Sequence, residues 1–73
     1  MNLKQLREES GLKAYKVAEK LYLSRAQLNN IEKGKYKIDM LKMEKLSEIY
    51  GKSIEEIQSA CEVTLIERRR DNI

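Results

Sequence analysis

The chain has 73 residues, of which 37% are charged and 41% hydrophobic, and its formal net charge is +3. This length accommodates one small domain, and no apolar run approaches the length of a membrane span, so we expect a soluble, cytoplasmic protein without a signal peptide. With no histidine and only one cysteine, Cys61, the sequence excludes an intrachain disulfide, a zinc site and a histidine-based catalytic triad. We therefore expect no enzymatic activity, no metal and no cofactor.

The charges are unevenly distributed along the chain. Residues 13–42 contain eight basic and three acidic side chains, a net charge of +5, whereas residues 43–67 contain two basic and six acidic ones, a net charge of −4. A basic block of this kind is typical of a surface that faces nucleic-acid phosphates, although an ordinary solvated face gives the same pattern. Residues 13–42 are therefore the candidate binding region.

Two short helices are predicted at the start of the chain. Asn2 and Gln5 form a variant of the capping box and Gly11 supplies a left-handed stop, which together predict a first helix over about residues 3–10. A second helix, over about residues 14–21, is predicted by a stripe of three apolar side chains at helical spacing, Val17, Ala18 and Leu21.

The third predicted helix begins at a capping box formed by Ser24 and Gln27 and stops at Gly34. Only Leu28 and Ile31 share an inward face, which is too narrow for a fully buried helix. The other side chains suit base edges, because Arg pairs with guanine, Asn and Gln pair with adenine, and Ala leaves room for a thymine methyl. The candidates for reading bases are Arg25, Ala26, Gln27, Asn29 and Asn30.

Two further helices complete the predicted fold. Asp39 caps a fourth helix that ends at Gly51, and a capping box of Ser53 and Glu56 opens a fifth helix that reaches about residue 60. The predicted class is therefore all-α, with five helices in a domain over residues 1–60. Five apolar side chains are interpreted as core rather than as ligands: Val17, Leu28, Ile31, Met40 and Met43. Cys61 is interpreted as a small buried hydrophobe, because no second thiol or histidine is present to activate it.

Residues 61–73 form a C-terminal tail with two open structural alternatives. The tail extends the fifth helix, with Ile57, Cys61 and Leu65 on one stripe, or it forms a short strand that pairs with its copy across a two-fold axis. The β-branched side chains Val63, Thr64 and Ile66 favour the strand. Because a monomer of this size has little core left to cover these residues, the tail is predicted to be a dimerisation segment, with a frayed end as the alternative.

The sequence resembles the lambda-repressor and Cro-like, Xre-type helix-turn-helix proteins over about residues 3–58. The resemblance implies a five-helix fold in which the second and third helices form the motif and the third enters the DNA major groove. It also implies sequence-specific transcriptional repression. The residues that carry it are Leu6-Arg7-Glu8-Glu9, Gly11-Leu12, Val17-Ala18-Glu19-Lys20-Leu21, Leu23-Ser24-Arg25, Ile31-Glu32-Lys33-Gly34-Lys35 and Leu46.

The resemblance also implies roles for particular residues. It places base reading on the five candidates of the third helix, and it pairs Arg7 with Glu32 in a semi-buried ion pair between the first and third helices. Arg7 lies beside an apolar face, where a charge requires such a partner. Contacts to DNA phosphates are implied at the starts of the second and third helices and in the loop after the third, at Lys13, Lys16, Ser24, Lys35, Tyr36 and Lys37.

The chain departs from the family pattern at three places. Lys13-Ala14 replaces the usual Ser-Gln at the start of the second helix, so Lys13 or Lys16 is expected to supply the phosphate contact made there. Tyr22 occupies a turn position commonly held by glycine, and since a bulky residue is strained at positive φ, the turn backbone is expected to differ. Ile38 replaces a common proline.

Two classes of function remain open. The first is a DNA-binding repressor of a mobile element, a phage or an antitoxin-like operon, which binds a pseudo-palindromic operator in double-stranded DNA as a homodimer. The second is a protein-interaction module on the same scaffold, such as an antitoxin-like or regulatory partner. DNA binding weakens steeply as salt rises, whereas an apolar protein interface does not. Neither reading predicts a small-molecule ligand or a membrane contact.

Overall fold

Five α-helices make up the computed structural model, which describes residues 1–71 and contains no strand among them. Helices α2 and α3 pack against each other, while α5 packs on both α1 and α4. The prediction of an all-α, five-helix fold is therefore confirmed. The bounds are α1 Leu3–Ser10, α2 Ala14–Lys20, α3 Arg25–Glu32, α4 Met40–Tyr50 and α5 Ile54–Asp71.

Side-chain caps determine where the helices begin. At α1 the Asn2 carboxamide accepts the backbone N–H of Gln5 at 2.8 Å, and the Gln5 Oε1 accepts the backbone N–H of Asn2 at 2.8 Å. At α4 the Asp39 carboxylate accepts the backbone N–H of Lys42 at 2.9 Å, and this bond holds the pKa of Asp39 below its usual value. These bonds satisfy backbone donors that have no partner within the helix. Both caps lie where the sequence predicts them.

A single hydrophobic core lies between the helices. The predicted core residues Val17, Leu28 and Ile31 are buried in it. The placement of Met40 in the core is wrong, because Met40 is the first residue of α4 and its side chain is 50% exposed. Met43, one turn later, packs only on the edge of the core. The buried side chains are Leu3, Leu6, Val17, Ala18, Leu21, Leu28, Ile31, Ile38, Leu46, Tyr50, Ile57 and Ala60.

Helix α5 continues without a break through most of the predicted tail. The hydroxyl of the buried Thr64 accepts the backbone N–H of Leu3 at 3.0 Å and donates to the carbonyl of Ala60 at 2.8 Å. The bond from Leu3 holds the second half of α5 on the start of α1. The preference for a strand is therefore wrong for residues 61–71, which extend the fifth helix, because packing on α1 overrides the β propensity of the segment. Asn72 and Ile73 lie outside the described residues.

The turn between α2 and α3 corrects a second expectation. Tyr22 adopts the left-handed conformation with φ of 57°, so the turn does not differ in backbone from one that a glycine would form. The N–H of Leu23 donates to the Ala18 carbonyl at 2.8 Å and the N–H of Tyr22 donates to the Glu19 carbonyl at 3.1 Å, the pair of bonds that defines a Schellman motif. The helix ending thus imposes the positive φ on Tyr22. The ring is 86% exposed, and the Lys45 ammonium lies 5.3 Å from its centroid.

Replacing Tyr22 tests the cost of this conformation. We expect Tyr22→Gly to raise the free energy of unfolding by about 1 kcal/mol, since the left-handed conformation costs roughly 1–2 kcal/mol for a residue with a Cβ and glycine adopts it freely. Tyr22→Ala keeps the strain and loses the ring contact with Lys45, so it should lower the stability. Thermal unfolding of the two variants measures both effects. A Tyr22→Gly variant less stable than the wild type would show that the ring contact outweighs the strain.

Candidate nucleic-acid interface

The outer face of α3 presents the predicted reading residues. Arg25, Ala26, Gln27 and Asn29 are exposed and Asn30 is half-buried. The opposite face is fixed to the core by the buried side chains of α3. A short amphipathic helix held in this way displays a polar surface in a rigid position, which is what reading a DNA groove requires.

A groove about 490 Å³ in volume divides these residues into two sets. Ala26, Gln27 and Asn30 line the groove on the α3 side. Arg25 and Asn29 do not line it, and since they lie four residues apart they share the neighbouring strip of the helix surface. The opposite wall of the groove includes Tyr36, Lys37, Asp39 and Lys42. Base-reading and phosphate-contacting candidates thus meet across one groove.

The capping box of α3 restricts one reading residue. The Oε1 atom of Gln27 accepts the backbone N–H of Ser24 at 2.8 Å, while the Ser24 hydroxyl accepts the backbone N–H of Gln27 at 3.1 Å. Pairing with adenine in two hydrogen bonds would require the same Oε1 atom as an acceptor for the base. Gln27 can therefore offer its amide donors to a base while it keeps the cap.

The candidates for phosphate contact occupy two regions. Lys35, Tyr36 and Lys37 are exposed in the loop after α3. Lys13 and Lys16 are exposed at the start of α2, away from the groove but on the helix that packs against α3. The Ser24 hydroxyl, at the start of α3, accepts the cap bond and retains its own hydrogen for donation.

Lys42 is a groove residue that sequence reasoning missed. It lies in the first turn of α4 and lines the groove opposite Asn30. Its ammonium lies 3.5 Å from the Asp39 carboxylate, a contact between exposed side chains that water weakens. The sequence feature that could have identified Lys42 as a candidate is its position inside the basic block of residues 13–42.

An ion pair ties the end of α3 to α1. The Nε of Arg7 donates to Glu32 Oε2 at 2.7 Å and the Nη2 donates to Oε1 at 3.2 Å, a two-bond fork that raises the pKa of Arg7. The Nη1 of the same guanidinium donates to the Leu12 carbonyl at 3.3 Å. The side chains of Arg7 and Glu32 are only 13% and 6% exposed. Nearby, burial and then the Glu32 charge raise the pKa of the Tyr50 hydroxyl. The pair fixes the orientation of α3 on the domain.

No helix within residues 1–71 has the length and apolar character needed to cross a membrane.

Cys61 is half-buried, and burial raises the pKa of its thiol, so the thiol is protonated at neutral pH.

Comparison with known proteins supplies the family. Residues 3–57 match the family model described as helix-turn-helix, of the Cro/C1 type. The matched segment runs from the first residue of α1 into the start of α5, and it includes the α2–α3 motif and the Arg7–Glu32 pair. No curated protein and no solved structure gave a match. The match covers most of the chain, so the protein belongs to the Cro/C1-type, Xre-like helix-turn-helix family, a family of DNA-binding transcription regulators.

Proposed function

We propose that this protein is a cytoplasmic, sequence-specific transcriptional repressor that reads an operator in double-stranded DNA with α3 in the major groove. The observation that carries the proposal is the polar face of α3, which lies across a groove from the basic loop that follows it. A helix in the major groove needs this arrangement, with side chains that match base edges flanked by charges that hold phosphates.

Different residues of the interface carry specificity and affinity. Arg25 would pair with guanine, and Asn29 and Asn30 would supply the paired donor and acceptor that suit adenine. Gln27, whose oxygen holds the α3 cap, would donate to a purine N7 or O6, and Ala26 would contact a thymine methyl. The phosphate contacts would be made by Lys13, Lys16, Ser24, Lys35, Tyr36 and Lys37.

The alternative is a protein-interaction module on the same scaffold. It is favoured by two large apolar side chains that are exposed outside the reading face, Tyr22 and Leu41. DNA binding explains the basic loop of residues 35–37 beside α3, whereas the alternative leaves this loop without a role.

The salt dependence of binding to duplex DNA tests the proposal against this alternative. For the four lysines proposed to contact phosphates, the logarithm of the association constant should fall with the logarithm of salt concentration with a slope of about −3.6 per protomer, since only cationic side chains release counterions in this way. Fluorescence anisotropy of a labelled duplex, titrated with the full chain between low and physiological salt, gives this slope. Absence of binding, or binding that does not change with salt, would contradict the proposal.

We further propose that the protein binds a pseudo-palindromic operator as a homodimer, through the C-terminal half of α5. Two copies of α3 on such a site lie one DNA turn apart, about 34–36 Å, and the two protomers therefore need a shared interface. Ile66 is 48% exposed on α5. An apolar groove of about 370 Å³ beside it is lined in part by Tyr36, Met43, Cys61 and Leu65. This surface would be covered by the partner protomer.

A charged residue introduced at the proposed dimer interface tests the dimer proposal. We expect the full chain to sediment at twice the 8.6 kDa mass of one chain, and Ile66→Lys to sediment as a folded monomer, because a buried lysine at the interface has no partner charge. Leu41→Lys is the matched control, since Leu41 is also exposed but lies on α4. Truncation at Ala60 is not a suitable test, since it removes Thr64 and its bond to α1. A monomeric wild type, or a dimeric Ile66→Lys variant, would exclude this interface.

A further inference from the structure

The C-terminal end of α5 carries three consecutive arginines that none of the roles above uses. Arg68, Arg69 and Arg70 form the last turn of this 18-residue helix. Cations at a helix C-terminus interact favourably with the helix dipole, which gives a structural reason for a positive charge there. That effect does not account for where the helix places the three side chains, which we call the arginine turn.

Gly34 brings the arginine turn against the end of α3. A Cβ atom at Gly34 would lie 3.1 Å from the Thr64 carbonyl oxygen and 3.2 Å from the Arg68 Cβ, so a side chain here would push α5 away by a few tenths of an ångström. The same position has φ of +79°, which glycine adopts without strain. The stem of Arg68 therefore lies against the backbone of Gly34, whose neighbours in sequence are the exposed Lys33 and Lys35.

Two carboxylates in the crevice beside Arg68 already have partners. Arg68 and Lys33 line a crevice that also contains Glu32 and Glu67. Both oxygens of Glu32 accept from Arg7. Both oxygens of Glu67 accept from the Asn2 amide nitrogen, at 2.9 and 3.3 Å.

Among residues 1–70, whose side chains the structure describes, none of the three arginines forms an ion pair. Lys33 and Lys35 flank Gly34, against which Arg68 packs, and add two exposed positive charges next to Arg68. Like charges gathered in this way repel each other, and a polyanion that lies across them removes the repulsion. The polyanion nearest to these cations would be the DNA that the loop of residues 35–37 is already proposed to contact.

We propose that the arginine turn extends the phosphate-contacting surface, so that α5 binds the DNA backbone next to the contacts of Lys35 and Lys37. This inference rests on the proposed function and adds residues outside the segment that carries the family match. Guanidinium groups suit this role, because they bind phosphate oxygens with two parallel hydrogen bonds and remain charged at every physiological pH. Contacts of this kind position the protein and strengthen binding on all sequences alike.

The test compares the salt dependence of DNA binding among full-length variants. Arg69→Gln and Arg70→Gln change exposed side chains and leave the packing of Arg68 on Gly34 intact. Because both arginines lie three and four residues after Ile66, on the side of α5 proposed for the dimer, sedimentation first establishes that each variant is still a dimer. We expect each single variant to reduce the magnitude of the salt slope by about 0.9 per protomer, and the double variant by about 1.8. The reason is that each phosphate contact removed from the complex releases about one counterion fewer from the DNA. Preference among DNA sequences should not change.

Lys52→Gln is the control for the loss of a charge at a distance. Lys52 precedes α5 and lies at the end of the helix opposite the arginine turn, where it pairs with Glu9. The salt slope of DNA binding by Lys52→Gln should equal that of the wild type. Arg69→Lys/Arg70→Lys should keep most of the slope, since the charges remain.

A wild type that binds DNA with the same slope as Arg69→Gln/Arg70→Gln would overturn the inference while leaving the proposed function in place. So would a loss of slope in Lys52→Gln equal to that of Arg69→Gln, since the effect would then reflect net charge alone. A wild type that does not bind DNA would instead remove the proposed function itself.

Discussion

Glu32→Ala is expected to lower the free energy of unfolding by about 3 kcal/mol. The substitution leaves the Arg7 guanidinium, whose side chain is 13% exposed, without the carboxylate that accepts two of its hydrogen bonds. A charge stranded in this way costs far more than the ion pair contributes, because the surroundings hold few water molecules to replace the partner. The estimate is at the low end of the usual range, since Arg7 keeps some contact with solvent.

For a domain of this size the melting temperature should fall by roughly 12–24 °C. Circular dichroism during heating measures the change, and Glu48→Ala, on the exposed face of α4, is the matched control with little expected effect. Replacing both partners, Arg7→Met with Glu32→Leu, should recover much of the lost stability, because no unpaired charge then remains. An unchanged melting temperature in Glu32→Ala would contradict the role given to this pair.

Arg25→Ala is expected to weaken binding to the preferred DNA site by about 1–3 kcal/mol and to relax the preference at one base pair. Arg25 is exposed in the first turn of α3 and its pairing with guanine would be the strongest single base contact of the interface. Fold stability should be unaffected, because the side chain does not belong to the core. Competition between the preferred duplex and single-base variants measures both effects.

Lys35→Ala is the matched comparison for Arg25→Ala. It removes one positive charge from the same surface, but from the loop, where a phosphate contact is proposed. It should weaken all duplexes alike and reduce the magnitude of the salt slope by about 0.9. If Arg25→Ala kept the full sequence preference of the wild type, α3 would not read bases in the way proposed.

Local signals made most of the fold predictable from the sequence. The caps at Asn2, Ser24 and Asp39 depend on residues three positions apart, and the structure contains the corresponding bonds. The buried faces of α2 and α3 follow from helical spacing of apolar residues. Features of this kind require no knowledge of how the helices pack.

The errors arise where tertiary packing or a hydrogen-bonded helix ending overrides the preference of the residue itself. Thr64 belongs to a β-branched stretch, yet its bond to Leu3, 61 residues away in sequence, keeps that stretch helical. Tyr22 takes a positive φ because the hydrogen bonds that close α2 require it, whatever side chain is present. Met40 is exposed because the first turn of α4 extends beyond the core.

The same distinction applies to the candidate site. Residue types alone predict α3 as the reading helix, but the use of the Gln27 oxygen in the cap is visible only in three dimensions. Lys42 joins the groove through the position of α4 opposite α3. The contact between Gly34 and Arg68 likewise depends on the length and direction of α5.

Selection of bound fragments from random duplex DNA by the full chain tests the central claim most directly. We predict enrichment of one inverted repeat whose half-sites are centred about 10–10.5 base pairs apart, with Arg25→Ala losing the preference at one position in each half-site. A bound pool with the same sequence composition as the starting library, at a salt concentration where the wild type binds, would contradict sequence-specific reading by α3.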